Sequence, residues 1–439
     1  MLPILSAPPS SDPNSLRFLD ALAGNGFQGD VDRSLATRIS AATDNSVYQV
    51  LPDAVVFPRS VGDVVCLAKL LADPMYRAVP VVARGGGTGT NGQSLSSGIV
   101  VDLSRHMASI LEFNPEQGWV RVEPGVVLDD LNRHVRDANM FFGPTLSPSN
   151  RATLGGMIST NASGKGSRVY GRTADHVLEL ELVLIDGTQI STRDVTLAEA
   201  RELSRRKDRE GRLYATLLST LERHRDEIQR RWPDMPRTLT GYDLKSASRN
   251  VHGQELVSLN PIVAGSEGTL GFIVGAKLRL LPIPRYKRTI ALAYGEFGHA
   301  LAAAEVLVKA DPSAIETIDG RILELARKDA IWHQVKHLLS FDVQVHAVNL
   351  VEFVAMDATQ LREKVERLVA ELRASVGQPA SPVGIVVTET DSDAAALWEL
   401  RKKGVGLLGA LRGERRPIAF VEDTAVPPAK LSAYVREFR

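Results

Sequence analysis

Residues 84–92 contain five glycines in nine positions, in the order Arg-Gly-Gly-Gly-Thr-Gly-Thr-Asn-Gly. Glycine has no Cβ, so the backbone of such a loop can approach a ligand closely. Successive N–H groups that point inward form a concave anion site, which suits the diphosphate of a nucleotide cofactor. An apolar run at 79–83 precedes the loop and predicts a short buried strand. The sequence therefore predicts a nucleotide-binding loop at the end of a strand.

Gly87, Gly89 and Gly92 match the G-x-G-x-x-G pattern of dinucleotide-binding proteins, which alone is a weak signal. That pattern requires a helix directly after the loop and an acidic residue about twenty residues further on. Here residues 93–98 lead into another strand, and Asp102 comes too early. A P-loop is excluded because no Gly-Lys-Ser/Thr follows at the required spacing. A glycine-rich hairpin without a ligand is the other alternative, and the polar side chains between the glycines disfavour it.

Further segments rich in small residues narrow the choice. Residues 148–164 form a second such loop, and residues 265–273 contain a third close turn. Residues 57–60, Phe-Pro-Arg-Ser, end a predicted strand and begin the helix that carries Cys66. Two glycine-rich loops that are far apart in the sequence can hold an extended cofactor from two sides.

Taken together, these motifs resemble the FAD-binding domain of the vanillyl-alcohol oxidase/PCMH superfamily. The resemblance covers roughly residues 48–439 and rests on the order of the four motifs. The chain is similar to the FAD-linked D-2-hydroxyacid dehydrogenases, and most to the N-terminal part of large bacterial D-2-hydroxyglutarate dehydrogenases fused to an iron–sulfur region. The resemblance implies an α+β fold, in which a PCMH-type FAD-binding domain is followed by an α+β substrate (cap) domain.

The resemblance also implies which residues bind FAD. Residues 85–90 would hold the diphosphate through backbone amides, residues 149–164 would line the flavin and its ribityl chain, and residues 267–273 would complete the pocket. Relatives with covalently attached flavin have a histidine where this chain has Thr88, so the resemblance implies non-covalent FAD. The implied cofactor-binding residues are Arg84, Gly85, Gly86, Gly87, Thr88, Gly89, Thr90, Ser149, Thr153, Gly155, Gly156, Ser159, Asn161, Ser163, Gly164, Glu267, Gly268 and Ile273.

The substrate side centres on Arg401. A 2-hydroxy acid needs a cation for its carboxylate, and arginine suits this role because its planar fork pairs with two oxygens. Trp398 and Arg401 resemble the family's Trp-x-x-Arg segment, whose arginine binds the substrate carboxylate. From the residues alone, a solvated helix arginine beside Lys402 and Lys403 is favoured. Relatives have a lysine at the place of Val421, which leaves a preference for a dicarboxylate open.

The implied function is FAD-dependent oxidation of a D-2-hydroxy acid, with D-2-hydroxyglutarate first, to the 2-oxo acid by hydride transfer to the flavin. The first alternative is a D-lactate or glycolate dehydrogenase or oxidase of the same fold. The second is a non-catalytic flavin-binding electron-transfer module. Relatives carry a histidine-rich metal-binding segment further on, so we expect the general base, the divalent metal and any iron–sulfur cluster to lie beyond Arg439. His333 and His337 predict an exposed helix face rather than a zinc site.

Composition excludes several classes of protein. The formal net charge is +0, so the overall charge does not favour binding to nucleic acid. The single cysteine excludes an internal disulfide and an iron–sulfur cluster held by this chain's own thiolates. The first residues lack a secretory signal pattern, and no apolar run is long enough to cross a membrane. We therefore expect a cytoplasmic protein whose partners are a small hydroxy acid and a downstream electron acceptor.

Changes in composition and in the predicted elements divide the chain into three parts. Residues 1–47 predict a partly helical N-terminal extension. Short strands alternating with glycine-rich turns predict a domain at 48–285, because Pro282-Ile283-Pro284 stiffens the connection after it. Residues 286–439 predict a sheet covered by helices, incomplete at its C-terminal end. The strand-like runs of this second domain are 289–294, 345–354, 383–389 and 418–422.

Three segments of the first domain receive specific predictions. Residues 142–171 are dense in Gly, Ser, Pro and Asn and predict a long irregular loop, which in a compact domain is usually functional. Residues 197–232 predict exposed helix, and residues 261–281 predict strands.

Overall fold

The protein forms two compact units, each built around a sheet. The structure, a computed structural model, describes residues 11–233, 241–341, 343–378, 380–409 and 424–438. The first unit contains the described residues up to Gly164 and residues 171–282; the second contains residues 165–170 and those from Ile283 onward. The chain thus joins the second unit at 165–170 and then returns to the first, a crossing that the sequence analysis does not predict.

The N-terminal part of the first unit is a mixed sheet covered by helices. Its elements are α1 (Pro13–Gly24), β1 (Asp30–Asp32), α2 (Leu35–Ala41), β2 (Ala54–Phe57), α3 (Val61–Leu71), β3 (Val81–Arg84) and β4 (Ile99–Asp102). The strand order is β1-β2-β4-β3, and β2, β4 and β3 run parallel. Ser60 begins α3 as expected, because its side chain accepts a hydrogen bond from the N–H of Asp63.

The rest of the first unit contains an antiparallel sheet in the order β10-β11-β9-β8-β12-β6-β5. Its strands are β5 (Ile110–Asn114), β6 (Trp119–Val122), β8 (Val177–Val183), β9 (Gln189–Thr196), β10 (Ser248–Val251), β11 (Gln254–Ser258) and β12 (Phe272–Arg279). A small pair is formed by β7 (Met140–Phe141) and β13 (Leu281–Pro282). The helices are α4 (Leu128–Val135), α5 (Leu154–Ser159), α6 (Ser167–Tyr170), α7 (Leu197–Ser204), α8 (Arg209–Arg223), α9 (Arg225–Arg231) and α10 (Asn260–Val263), with 3-10 turns at Arg136–Ala138 and Thr173–His176. Of these, α6 belongs to the second unit.

Three predictions for this unit need correction. The segment 142–171 is not wholly irregular, because it contains α5 and α6. The stretch 197–232 is three helices, since Asp208 caps a new helix after α7 and α9 follows a break at His224. The stretch 261–281 begins in α10, where proline occupies the first turn of a short helix before the strands resume.

The second unit is an antiparallel sheet with helices on both faces. Its elements are β14 (Tyr286–Tyr294), α11 (Phe297–Ala302), α12 (Ala304–Lys309), β15 (Ala314–Asp319), α13 (Gly320–Ala326), α14 (Trp332–Leu339), β16 (Ala347–Ala355), α15 (Ala358–Ala374), β17 (Gly384–Val387), α16 (Asp391–Gly409) and α17 (Pro428–Phe438). The order in the described residues is β15-β16-β14-β17. This confirms the predicted helix-covered sheet; the predicted strand at 418–422 lies outside the described residues.

Alternation along the strands separates two apolar layers. Ile290 and Val351 pack with α15 on one face, whereas Ala291 and Leu350 pack with α14 and α16 on the other. None of the helices in the described part of the chain has the length and apolar character needed to cross a membrane.

Candidate functional site

The first glycine-rich loop begins at the carboxyl end of β3, a parallel strand. In open α/β sheets, ligands bind at the carboxyl ends of such strands. Arg84, the last residue of β3, donates from Nη2 to the carbonyl of Thr43 at 2.7 Å and from Nη1 to that of Ala41 at 3.3 Å. Burial lowers the pKa of its guanidinium. The structure therefore uses the Arg84 side chain to brace the loop, rather than presenting it to a ligand.

Gly85 and Gly86 pack directly against the second loop. A Cβ on Gly85 would lie 2.1 Å from Oγ1 of Thr153, and a Cβ on Gly86 would lie 1.9 Å from the carbonyl oxygen of Arg151. Any side chain at either position would force the two loops apart. The sequence predicted both loops, and the structure brings them into contact.

Thr153 supplies the test of whether these loops fit a cofactor. Its residue is 3% exposed, and its Oγ1 has no hydrogen-bond partner among the described residues. A buried hydroxyl without a partner is costly, so such groups usually serve a ligand or water. Thr153 also precedes α5 without capping it. An unused hydroxyl beside side-chain-free backbone amides fits the diphosphate of FAD.

Asn45 joins the first two loops, although the sequence analysis did not single it out. Its backbone N–H donates to the carbonyl of Gly89 at 3.1 Å, and its Nδ2 donates to that of Thr88 at 3.3 Å. Its Oδ1 accepts from Nη2 of Arg151 at 2.8 Å. The only sequence signal is a polar turn, Asp44-Asn45-Ser46, which does not indicate partners 43 and 106 residues away.

The third motif meets the second at the end of α5. The N–H of Glu267 donates to the carbonyl of Ser159 at 2.8 Å, and the N–H of Gly265 donates to that of Ile158 at 2.9 Å. Asn161 adopts a left-handed backbone with φ of 48°, and its Oδ1 accepts from the N–H of Ala174 at 2.9 Å. Three motifs that are distant in sequence are therefore joined by direct contacts in the first unit.

The predicted cofactor-binding residues differ in how accessible they are. Ile273 is 6% exposed and its side chain lies in the apolar core, so only its backbone can face a ligand. Gly155 is buried, since a Cβ there would lie 2.6 Å from Pro124. Gly164 lets the chain pass the carbonyl of Thr145, which would lie 2.0 Å from a Cβ. The exposed members are Thr90, Glu267 and Gly268; the half-buried ones are Arg84, Gly85, Gly86, Gly87, Thr88, Gly89, Ser149, Gly156, Ser159, Asn161, Ser163 and Gly164.

The second unit has a charged cluster on the face of its sheet that α16 covers. Glu352 lies on the same face of β16 as the core residue Leu350, because the two are separated by two positions. Glu316 of β15 pairs with Leu350, so both acids project from this face as diagonal neighbours. The carboxylates of Glu316 and Glu352 therefore lie on the same face of the sheet as the apolar layer under α16.

Arg401 of α16 pairs with the first of these acids. Its Nε donates to Oε2 of Glu316 at 2.8 Å, and its side chain is 35% exposed. In the described part of the chain, Glu316 is the one acid within 4.0 Å of this guanidinium, and the ion pair uses Nε. The structure therefore gives Arg401 a close ion-pair partner, whereas the exposed Lys403 lies 3.9 Å from Oδ1 of Asp329.

Lys165 pairs with the second acid and was also missed at the sequence level. Its Nζ lies 2.7 Å from Oε2 of Glu352 and 3.6 Å from the centroid of the Trp398 ring. Burial lowers the pKa of Lys165, while the Glu352 carboxylate opposes that shift. Trp398 in turn donates from Nε1 to Oγ1 of Thr289 at 3.0 Å. A lysine within the Asn-Ala-Ser-Gly-Lys-Gly run was the available signal, but nothing local indicates its partners.

The described residues contain no group of three or more His, Cys, Asp or Glu side chains that is arranged to hold a metal ion. His333 and His337 lie on α14, where Nε2 of His337 contacts Oδ1 of Asp393 at 3.0 Å. Val421 lies outside the described residues.

Comparisons with known proteins agree with this architecture. The family described as FAD binding domain matches residues 52–193, and the family described as FAD linked oxidases, C-terminal domain, matches residues 283–439. D-2-hydroxyglutarate dehydrogenase of Pantoea ananatis is 45% identical over 442 aligned residues, and that of Escherichia coli is 44% identical over 444. Each alignment covers 100% of this chain but 43% of the relative, so the chain spans less than half of their length.

A solved structure of alkyldihydroxyacetonephosphate synthase shares the fold. It superimposes with a TM-score of 0.62 over 93% of this chain and 66% of that chain, at 18% sequence identity. At this identity the likeness concerns the fold alone. The two family matches show that the chain contains an FAD binding domain followed by the C-terminal domain of the FAD linked oxidases.

Proposed function

We propose that this chain is the FAD-binding and substrate-binding part of an enzyme that oxidises D-2-hydroxyglutarate to the 2-oxo acid. The ion pair of Arg401 with Glu316 carries the proposal, because it holds in one geometry a guanidinium whose planar fork suits a carboxylate. The names of the relatives from Pantoea ananatis and Escherichia coli support the choice of substrate. The reaction is proposed for the protein that contains this chain, since the chain spans 43% of those relatives.

FAD would be held by the three motifs of the first unit. The N–H groups of residues 85–90 suit the diphosphate, and Oγ1 of Thr153 supplies a further donor. When bound, FAD supplies the hydride acceptor for C2 of the substrate, and an acceptor outside this chain takes the electrons onward. Thr88 cannot form the flavin bond that a histidine forms, so the cofactor would be non-covalent.

Arg401 would bind the substrate carboxylate. Glu316 holds Nε, so the direction of the guanidinium is set before the substrate arrives. A fixed arginine fork pairs with two carboxylate oxygens and orients the carbon next to them. Orientation of this kind contributes to rate because the reacting groups need not search for one another.

Anaerobic flavin reduction tests this proposal. The whole protein that contains this chain, loaded with FAD and mixed with D-2-hydroxyglutarate, should lose its oxidised-flavin absorbance, and Arg401→Met should lower the apparent second-order rate constant about ten- to a hundredfold. Arg401→Lys keeps the charge but loses the fork, so it should recover part of the rate. Lys402→Met removes an adjacent exposed charge and serves as the matched control.

The alternatives give different results in the same experiment. A D-lactate or glycolate enzyme would be reduced faster by those acids than by D-2-hydroxyglutarate, and an oxidase would reoxidise rapidly when air is admitted. A non-catalytic electron-transfer module would bind FAD but would not be reduced by any hydroxy acid. Equal rates for Arg401→Met and the unchanged protein would remove the assigned role of Arg401.

A further inference from the structure

The second unit contains two accessible cations held by two less accessible acids. The side chains of Arg401 and Lys165 are 35% and 34% exposed, whereas those of Glu316 and Glu352 are 24% and 10% exposed. In each pair the acid therefore lies deeper than its cation. This arrangement fixes the cations while leaving part of each open to a ligand.

The two ion pairs belong to one cluster. Trp398 and Arg401 are three residues apart on α16, so they lie on one face of the helix. The ammonium of Lys165 lies over the Trp398 ring, and Glu316 also acts on Lys165 electrostatically. Since the two acids are diagonal neighbours on adjacent strands, their Cα atoms are separated by roughly 7–8 Å.

This spacing suits a ligand with an acid at each end. Trp398, which lies under the ammonium of Lys165, is one helical turn of about 5 Å from Arg401. The carboxyl carbons of a five-carbon dicarboxylate are separated by four C–C bonds, which is a similar reach. The chemistry therefore matches a second carboxylate at Lys165, while the first is bound at Arg401.

We propose that Lys165 is a specificity residue that binds the distal carboxylate of a dicarboxylic 2-hydroxy acid, while Glu352 and Trp398 hold its ammonium in place. The inference rests on the proposed function, since it takes Arg401 as the binding residue for the carboxylate next to the hydroxyl. It goes beyond that function by assigning the discrimination between D-2-hydroxyglutarate and monocarboxylates such as D-lactate to one side chain.

Binding of inert acids tests this proposal directly. Glutarate and butyrate have similar carbon chains but two and one carboxylates, and neither carries the hydroxyl that is oxidised. By isothermal titration calorimetry on the FAD-loaded protein, Lys165→Gln should weaken glutarate about ten- to a hundredfold and leave butyrate nearly unchanged. Lys165→Arg should recover most of the glutarate affinity, because it restores the cation.

Glu352→Gln separates a ligand-binding role from a structural one. Both Lys165→Gln and Glu352→Gln break the ion pair, but only the first removes the positive charge. If Lys165 binds the ligand, Glu352→Gln keeps the cation and should therefore bind glutarate clearly more tightly than Lys165→Gln does. If both variants weaken glutarate equally, the pair is structural and the proposal is overturned.

Two further outcomes decide the remaining cases. Lys165→Gln leaves Glu352 buried without its cation, which can prevent folding. In that case the double variant Lys165→Gln/Glu352→Gln is used instead of Lys165→Gln. Its glutarate affinity is compared with that of Glu352→Gln, which keeps the lysine. A double variant that keeps the preference for glutarate overturns the proposal for Lys165, while flavin reduction by D-2-hydroxyglutarate would still support the proposed function. Failure of the unchanged protein both to bind glutarate and to be reduced by D-2-hydroxyglutarate would overturn both proposals.

Discussion

Single glycines in the first loop have distinct physical roles. Gly87 adopts a φ of 59° that side chains disfavour, so there the backbone itself requires glycine. Gly86 has an ordinary φ but lies against the carbonyl of Arg151, so there the limit is space. A run of glycines in the sequence can therefore reflect either a backbone conformation that requires glycine or a lack of space for a side chain. Substitutions at the two positions can distinguish these causes.

Gly86→Ala should weaken both the fold and FAD retention. The new methyl would lie 1.9 Å from a backbone oxygen, which cannot rotate away, so the two loops must separate. Such overpacking typically costs about 1–3 kcal/mol. The melting temperature and the FAD content of the purified protein measure the two effects.

Gly24→Ala is the matched control, since Gly24 ends α1 and a Cβ there has nothing within 4 Å. It should leave FAD content unchanged and stability equal or slightly higher, because alanine favours helix. Normal FAD content and melting temperature in Gly86→Ala would show that the loops are not packed as described.

Among the elements of the fold, the segment between α2 and β2 acts as a clasp on the loops. It supplies Asn45, which hydrogen-bonds Thr88 and Gly89 of the first loop and Arg151 of the second. It also supplies Tyr48, whose ring lies 3.0 Å from where a Cβ on Gly92 would be. These N-terminal residues therefore help to fix the two glycine-rich loops, although no glycine motif marks them.

Asn45→Ala should lower FAD affinity about tenfold without unfolding the protein. It removes two side-chain hydrogen bonds, each worth about 1 kcal/mol net, and keeps the backbone bond to Gly89. Fluorescence titration of the apoprotein with FAD measures the change. Asn250→Ala removes a comparable hairpin bond to Gly253 and should leave FAD affinity unaltered; an equal loss in both variants would argue against the clasp.

The sequence predicts local features of this site better than its long-range contacts. The glycine loops are visible because each requirement, such as the positive φ of Gly87, is local. The family and the FAD-binding domain followed by a helix-covered sheet are confirmed by the comparisons. Asn45 and Lys165 were missed because their partners are 43 to 187 residues away. Ile273 stays a prediction from its motif, and its buried side chain leaves only its backbone to face a ligand.

At the scale of the whole molecule, each unit has apolar cores of its own. The clusters around Val120 and Phe18 contain only residues of the first unit, whereas those around Ile290 and Ala291 contain only residues of the second. A unit with a separate core can open separately. The three motifs proposed to hold FAD all belong to the first unit, so FAD binding would be linked directly to the stability of that unit.

Hydrogen exchange should therefore respond to FAD in one unit. A ligand at about 100 times its dissociation constant stabilises the state that binds it by about 2.7 kcal/mol, which slows exchange through opening of that state roughly a hundredfold. With FAD added to the apoprotein, peptides covering 85–92, 149–164 and 265–268 should exchange more slowly, and those covering β14, β15 and β16 should not change. Equal protection in both units would show that they open as one cooperative body, and unchanged exchange in the three motifs would place the cofactor elsewhere.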